Sequence, residues 1–285
     1  MSKIYTLYHN NCPDGFGSAL AAYLKFGDRS EYIGVKHQQD PPEMELGSEA
    51  YILDFSYPRQ VMEELLARHV KVITLDHHKT AQEALLGLRG ALFDMNRSGA
   101  MISWEYFHPD SPEERLRQRE IPDLFRYIQD RDLWQWKLEG TGEIAAGLQL
   151  LPQEFDLWID LLTPAGLERL RQDGKTILRY QTKEIQGLLK HVYLDNLPPY
   201  QAPTGAWITG AKIPLINCSN YDIVSDLCHQ MLEEYPDYPV VASWLRGKSS
   251  ISYSLRSQPD FDCLEIAKLY GGGGHKNSAG FKLAI

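Results

Sequence analysis

The apolar run Val72-Ile73-Thr74-Leu75 ends in Asp76-His77-His78. Three consecutive side chains able to bind a metal do not suit a buried strand, so they mark a place where a strand delivers chemistry to its end. The arrangement recurs upstream. His9 and Asp14 stand at and just beyond the strand-like "KIYTLYH" (3–9), and Asp54 lies in the strand-like "AYILDFS" (50–56). Carboxylates mixed with imidazoles, and no thiolate pattern, suit Mn²⁺ or Mg²⁺ better than structural zinc. An aspartate shared by two such ions would hold a phosphoryl-transfer centre, in which one ion activates water and the pair steadies charge on the attacking and leaving oxygens. A histidine beside the ions could meet a phosphate oxygen or the leaving group.

The elements that must position these residues alternate along the first half. Helical stretches at 15–27, 58–69 (with Pro58 at the first helical position), 81–88 and 98–108 separate strands at 3–9, 50–56, 70–78 and 91–94. Strands spaced by helices of this length predict an α/β domain, a parallel sheet flanked by helices. In such sheets ligands gather beyond the carboxyl ends of the strands, which is where His9, Asp14, Asp54 and Asp76-His77-His78 fall. The expected organisation is a domain over 1–150, a helical connector over 151–199 and a smaller α/β domain with a mixed sheet over 200–285. The Pro-rich "LPPYQAPTG" (197–205) is the clearest boundary. Near the end, "GGGGHKNSAG" (271–280) offers a second site. Gly272, Gly273 and Gly274 let backbone N–H groups approach an anion as a nest, and His275, Asn277 and Ser278 add donors. Arg256 is a candidate phosphate fork.

Bulk properties limit the partners. A formal net charge of −9 opposes tight binding to long nucleic acid, which draws on many Lys and Arg contacts to phosphate. It leaves room for a short anionic substrate. No run approaches the roughly 20 apolar residues of a membrane helix, and the first ten residues do not read as a secretion signal. The four cysteines, Cys12, Cys218, Cys228 and Cys263, form no C-x-x-C pair and fit a reducing cytoplasm. A homodimer remains open.

The ordered set of Asp14 in "CPDGFGSA", Asp54 in "ILDFS", "DHH" and "DRDLW", closed by "GGGGHKNSAGF", resembles the DHH phosphoesterases with a C-terminal DHHA1 substrate-binding domain. The resemblance spans nearly the whole chain, and its two-part length is most similar to the nano-RNase branch. It implies two Mn²⁺ or Mg²⁺ ions, with Asp54 bridging, His77 a ligand, and Asp76 a ligand or supporting partner. His78 would face the scissile phosphate. Asp132 would complete the second ion position, with Asp130 an alternative by spacing. Residues 95–100 would lie near substrate, although Asn96 and Ser98 read equally as a helix-capping turn. The implied substrate, of two to five nucleotides or a small nucleotide phosphoester, would sit between the domains. One position departs from the family: the Asp-x-Asp of its first motif reads Cys12-Pro13-Asp14 or, in the alternative frame, Asp14-Gly15-Phe16. His9 or Asn11 could compensate. The departure also keeps open a catalytically weakened relative that binds a nucleotide as a sensor or scaffold.

Overall fold

Side chains alternate across a strand, and in the first sheet both faces are apolar. Its strands are β1 (Ile4–His9), β2 (Ser30–Val35), β3 (Glu49–Leu53), β4 (Lys71–Asp76) and β5 (Ala91–Phe93). In the computed structural model, which describes residues 2–36, 39–109, 121–201, 207–208 and 212–285, all five run parallel in the order β2-β1-β3-β4-β5. Ala50 and Ile52 of β3 enter a buried cluster with Leu7, Met62 and Val72. Tyr51 and Leu53 enter another, with Leu20, Leu75 and Phe125. Helices therefore cover both faces, as a parallel sheet requires.

The helices of this part are α1 (Pro13–Phe26), α2 (Arg59–Arg68), α3 (Lys79–Ala84), α4 (Gly99–Phe107), α5 (Asp123–Asp132), α6 (Thr141–Leu148), α7 (Phe155–Asp160) and α8 (Pro164–Leu189). From β1 the chain passes to β2 on one side, whereas β3, β4 and β5 build outward on the other. The order reverses between β1 and β3, and the carboxyl ends of those strands border a crevice suited to ligand.

Three details differ from the sequence reading. β2 has no apolar run: it is an edge strand, buried only at Ser30 and Val35. The strand expected over 50–56 stops at Leu53, because Asp54 turns into the left-handed region at φ 62°. Pro58 is extended, at φ −54° and ψ 150°, and precedes the first residue of α2 instead of occupying it.

Two compact units emerge, Met1–Leu178 and Arg179–Ile285, and the division falls within α8. The Pro-rich break expected at 197–205 lies partly outside the described residues, at 202–205. In the second unit β6 (Tyr193–Asn196), β9 (Lys212–Asn217), β10 (Val240–Arg246), β11 (Ser250–Ser257), β12 (Gly273–His275) and β13 (Ser278–Ala284) form a mixed sheet. Its order is β12-β13-β11-β10-β9-β6, in which only β9 and β10 are parallel. Two-residue strands β7 (Tyr200–Gln201) and β8 (Trp207–Ile208) pair separately. Helices α9 (Val224–Glu234) and α10 (Cys263–Leu269) pack on the six-stranded sheet, with Cys228 and Val241 in one apolar cluster and Cys263 and Ala242 in another. Among the described residues no helix is long and apolar enough to cross a membrane.

The turn from β1 into α1 is tight: a β-carbon at Gly15 would lie 2.1 Å from the His9 carbonyl oxygen. The next residue, Phe16, is buried, stacked on Phe155 at 5.0 Å and edge-on to Trp158 at 4.9 Å. Phe16→Ala should therefore cost about 3–5 kcal/mol, read as a lower denaturant midpoint at unchanged slope. Phe16→Asp, which would write a second acid into the motif, should unfold the chain because it buries an unpaired charge. A stable Phe16→Asp protein would contradict this placement.

Candidate metal and phosphate centre

β3 lies between β1 and β4, so Asp54, the first residue past β3, has the end of β1 on one side and the end of β4 on the other. Its Oδ2 is 3.3 Å from His9 Nδ1, and its Oδ1 is 3.2 Å from His77 Nε2. Aspartate is one of the few residues that visit the left-handed region. Here the Asp54 N–H donates to the Leu75 carbonyl at 2.9 Å, which fixes the turn. Asp54 Oδ1 is buried and has no well-directed hydrogen-bond donor.

Asp14, in the first turn of α1, reaches the start of α4. Its carboxylate accepts the N–H of Gly99 at 2.7 Å and of Ala100 at 2.8 Å, where the helix dipole favours negative charge. Ser98 caps the same helix by accepting from Met101 N–H at 3.3 Å. Gly99 is needed for the approach, since a β-carbon there would stand 2.7 Å from Asp54 Oδ1. Asp132, the last residue of α5, has a side chain 26% exposed and points its Oδ2 to within 3.6 Å of His77 Nε2; Asp14 Oδ2 lies 3.5 Å from the same nitrogen.

Three donor sets of this unit have their ligand atoms within 4.8 Å of one another; in Asp54–Asp76–His78 the Asp76 and His78 atoms are paired to each other, which leaves Asp14–His77–Asp132 and His9–Cys12–Asp54. Asp54 faces both. The set containing Cys12 distinguishes the two frames of the first motif, for Cys12 stands among the acids and Phe16 is in the core. The backbone N–H of Asn11 is directed to Asn10 Oδ1 and Gln153 Oε1. Asp130 is spent elsewhere: its carboxylate accepts from Lys137 N–H at 2.8 Å, Leu138 N–H at 3.1 Å and the Thr141 hydroxyl at 2.5 Å, holding the turn between α5 and α6.

Asp76 works on its neighbours. Its Oδ1 accepts the backbone N–H groups of His77 and His78 at 2.7 and 3.1 Å and lies 2.7 Å from His78 Nδ1. Its Oδ2 accepts the Ser56 hydroxyl at 2.5 Å. Burial opposes charge on Asp76, yet His78 and Ser56 hold its pKa below the usual carboxylate range. Burial likewise opposes charge on His78, and Asp76 outweighs it and raises the pKa. The result is a fixed imidazole biased toward its cationic form. Ser56 and the amides of Gly99 and Ala100 escaped the sequence reading. A Ser-Gly pair before an apolar helix signals a cap but not what the cap binds.

In the second unit the strand register sets His275 opposite Ser278, and Ser278 opposite Arg256, in one row across β12, β13 and β11. Arg256 lies within β11, and its guanidinium donates to Ser225 Oγ at 2.6 Å and to the Leu255 carbonyl at 2.8 Å. The glycines differ from the expected nest. Gly271 and Gly272 donate their N–H groups to the carbonyls of Lys268 and Ala267 at the C-terminal end of α10, and Gly273 and Gly274 pair with β13. A β-carbon at Gly272 would sit 2.0 Å from the Gly280 carbonyl, so the glycine admits a close strand. The Asn277 amide is also structural, donating to Ser257 Oγ and to the carbonyls of Gln258 and Phe261.

No family model matches the chain. The uncharacterized protein R106 of Acanthamoeba polyphaga mimivirus is 31% identical over 296 residues, which cover 96% of this chain and 66% of that protein. Oligoribonuclease NrnB of Bacillus subtilis is 23% identical over 303 residues, 97% of this chain and 72% of NrnB. The chain thus spans about two thirds of the length of the curated relatives it matches. Among solved structures, the DHH domain of a member of a ribosomal-protein family superposes with a TM-score of 0.61 at 14% identity, covering all of this chain and 83% of that one. RecJ from Thermus thermophilus, in complex with Mn²⁺, gives 0.53 at 15% identity over 98% of this chain and 49% of its own.

Three carboxylates, of Asp14, Asp54 and Asp132, lie around the one imidazole of His77. Burial opposes charge on His77, but Asp54, Asp132 and Asp14 push its pKa up to about 10. Burial first, then Asp54 and Asp132, drive the Asp14 carboxyl well above its usual range. Burial with Asp54, Asp14 and Asp132 raises the Cys12 thiol in the same way. Asp54 is the counterweight: burial would raise it, but the close imidazoles of His77 and His9 hold it well below. With its buried, unsatisfied oxygen, this donor set fits a divalent ion. Free of metal, the fold keeps protons there that the unfolded chain would release. The His77 contribution is full below pH 6.5, its ordinary value, and is lost as pH rises through about 10; Asp14 and Cys12 act in the same direction. In chelator, Tm should therefore fall between pH 7 and 10, and saturating Mn²⁺ should flatten the slope by replacing the protons. A chelated Tm that holds or rises over that range would contradict the crowding.

Proposed function

We propose that the chain is a DHH/DHHA1-type phosphoesterase, a metal-dependent phosphodiesterase acting on short oligonucleotides or a small nucleotide phosphoester; the fold shared with a DHH domain and with RecJ and the similarity to NrnB support this reading. One observation carries the reading: the Asp54 carboxylate faces two separate donor sets, which is the arrangement a pair of ions sharing one carboxylate needs. Asp14, His77 and Asp132 would hold one ion, His9 and Cys12 the other, with Asp54 between. Mn²⁺ or Mg²⁺ bound there would supply positive charge to the phosphoryl oxygens and acidify water. The protein's own part is positional. Asp14 is fixed by the α4 amides, and Asp76 locks His78 through Nδ1 and sustains its positive charge, so His78 is a donor to a phosphate oxygen or to the leaving group.

The substrate class follows from charge and from the second unit. A net charge of −9 opposes tight binding of a long strand, while the Arg256–Ser278–His275 row offers local donors for a terminal phosphate. The curated relative NrnB is named an oligoribonuclease, which supports the same direction. The four cysteines, all free, suit a reducing cytoplasm. A specific observation favours a second reading: the thiol of Cys12 replaces an expected carboxylate, consistent with a weakened enzyme retained as a nucleotide sensor.

A substrate panel separates these readings. With Mn²⁺ the chain should hydrolyse RNA and DNA dinucleotides faster than long strands, and the panel should include a cyclic dinucleotide and a bisphosphate nucleotide. Asp54→Ala should abolish turnover and bound metal together. His78→Ala should keep the metal while kcat falls by about 10²–10⁴-fold. Arg256→Ala should raise KM for a dinucleotide and leave a small chromogenic diester nearly unaffected. Nucleotide binding without turnover under any divalent ion would favour the sensor. Normal metal content in Asp54→Ala would refute the shared carboxylate.

A further inference from the structure

The cysteines fall into two environments. Cys218, Cys228 and Cys263 are buried among apolar side chains of the second unit. Cys12 is part-exposed, with its sulfur within 4.8 Å of donor atoms of His9 and Asp54. Its backbone is held in place: the Cys12 carbonyl accepts from Phe16 N–H at 3.0 Å and from Gln153 Nε2 at 3.3 Å. Asn11 before it is pinned in the left-handed region at φ 59°, and Pro13 after it starts α1. The thiol is thereby aimed at the centre by the same turn that delivers Asp14. The shared acid is placed with it: Asp54, 1% exposed, sets Oδ2 3.3 Å from His9 Nδ1 on the Cys12 side, while its Oδ1, which has no well-directed donor, faces His77.

Resting on the two-ion reading above, we propose that Cys12 is a thiolate metal ligand, so that the two ion positions are chemically unequal. As an ion binds, the Cys12 sulfur–proton bond gives way to a sulfur–metal bond and the proton leaves to solvent. The position formed by His9, Cys12 and Asp54 has nitrogen, sulfur and oxygen donors, and it selects thiophilic ions such as Co²⁺, Zn²⁺ or Fe²⁺. The position formed by Asp14, Asp54, His77 and Asp132 has three carboxylates and one imidazole, and it suits Mn²⁺ or Mg²⁺. Mixed loading, one ion of each kind, is the expected resting composition.

The test uses the full chain, stripped of metal and titrated with Co²⁺, which reports sulfur ligation by an intense near-ultraviolet charge-transfer absorption. The wild-type chain should bind two Co²⁺ and show this absorption. Cys12→Ser, nearly isosteric, should lose it while the weaker visible bands of the other ion persist. Removing even a supporting group from a metal site costs roughly 10–100-fold in affinity, so the weaker Co²⁺ constant should drop at least about tenfold. Cys12→Asp should lack the absorption too but bind a second Mn²⁺ more tightly than the wild-type chain, which shows that the position survives and only its preference has changed. Undiminished charge transfer and unchanged affinity in Cys12→Ser would overturn the proposal and leave the two-ion reading intact. Failure of the wild-type chain to bind any Co²⁺ or Mn²⁺ would overturn both.

Discussion

The centre depends on where β3 stops. Asp54 leaves the sheet by a left-handed turn immediately after Leu53, and because β3 is flanked by β1 and β4 its two carboxylate oxygens address opposite neighbours. A non-glycine residue in that region costs of order 1–3 kcal/mol. Surrounding contacts hold it there: the Leu75 carbonyl takes its N–H, and Gly99 lets the tip of α4 press against its side chain. One more residue of strand would turn the carboxylate away from one of its partners. The position of β3 within the sheet and the dihedral angle at its end are thus one constraint.

Around Asp54 a common device recurs. Asp14 is gripped by the amides of residues 99 and 100, Asp76 by those of 77 and 78, and Asp130 by those of 137 and 138. Pairs of backbone N–H groups orient three carboxylates with almost no rotamer freedom to lose, and they compensate part of the cost of burying negative charge. What separates the three is the use of the remaining lone pairs. Asp14 turns one oxygen to His77, Asp76 spends its own on His78 and Ser56, and Asp130 gives its own to Thr141.

Much of this was legible in the sequence because the signals were periodic or chemical. Apolar strands ending in acids and histidines announced the edge on which His9, Asp14, Asp54 and His77 meet, and alternating helices announced a parallel sheet. What stayed hidden obeys other rules. β2 and β6 are edge strands, without the buried run that marks a central one. Asp130 and Asp132 are two residues apart on a helix end, and only the fold of the 137–141 turn separates the structural acid from the one at the centre. The glycines at 271–274 satisfied a pattern for anion binding, whereas their role in the fold is to let β12 lie against β13 and to close α10. Asn277 was misleading for the same reason: a polar side chain beside glycines can serve the loop's own carbonyls.

The amide grips also bear on how such a centre can change. A backbone N–H is the same in nearly every residue type, so the letters at 77, 78, 100, 137 and 138 carry little of the anchoring information. Chain length carries most of it: the count of residues from the end of β5 to the first turn of α4, or from α5 to the 137–141 turn, decides whether the amides arrive. Such a centre tolerates drift in composition and is brittle to insertion, deletion and proline, which alter spacing or remove the hydrogen itself. Two glycines, at 15 and 99, are exceptions, since there the identity of the residue and the geometry of the chain are the same requirement.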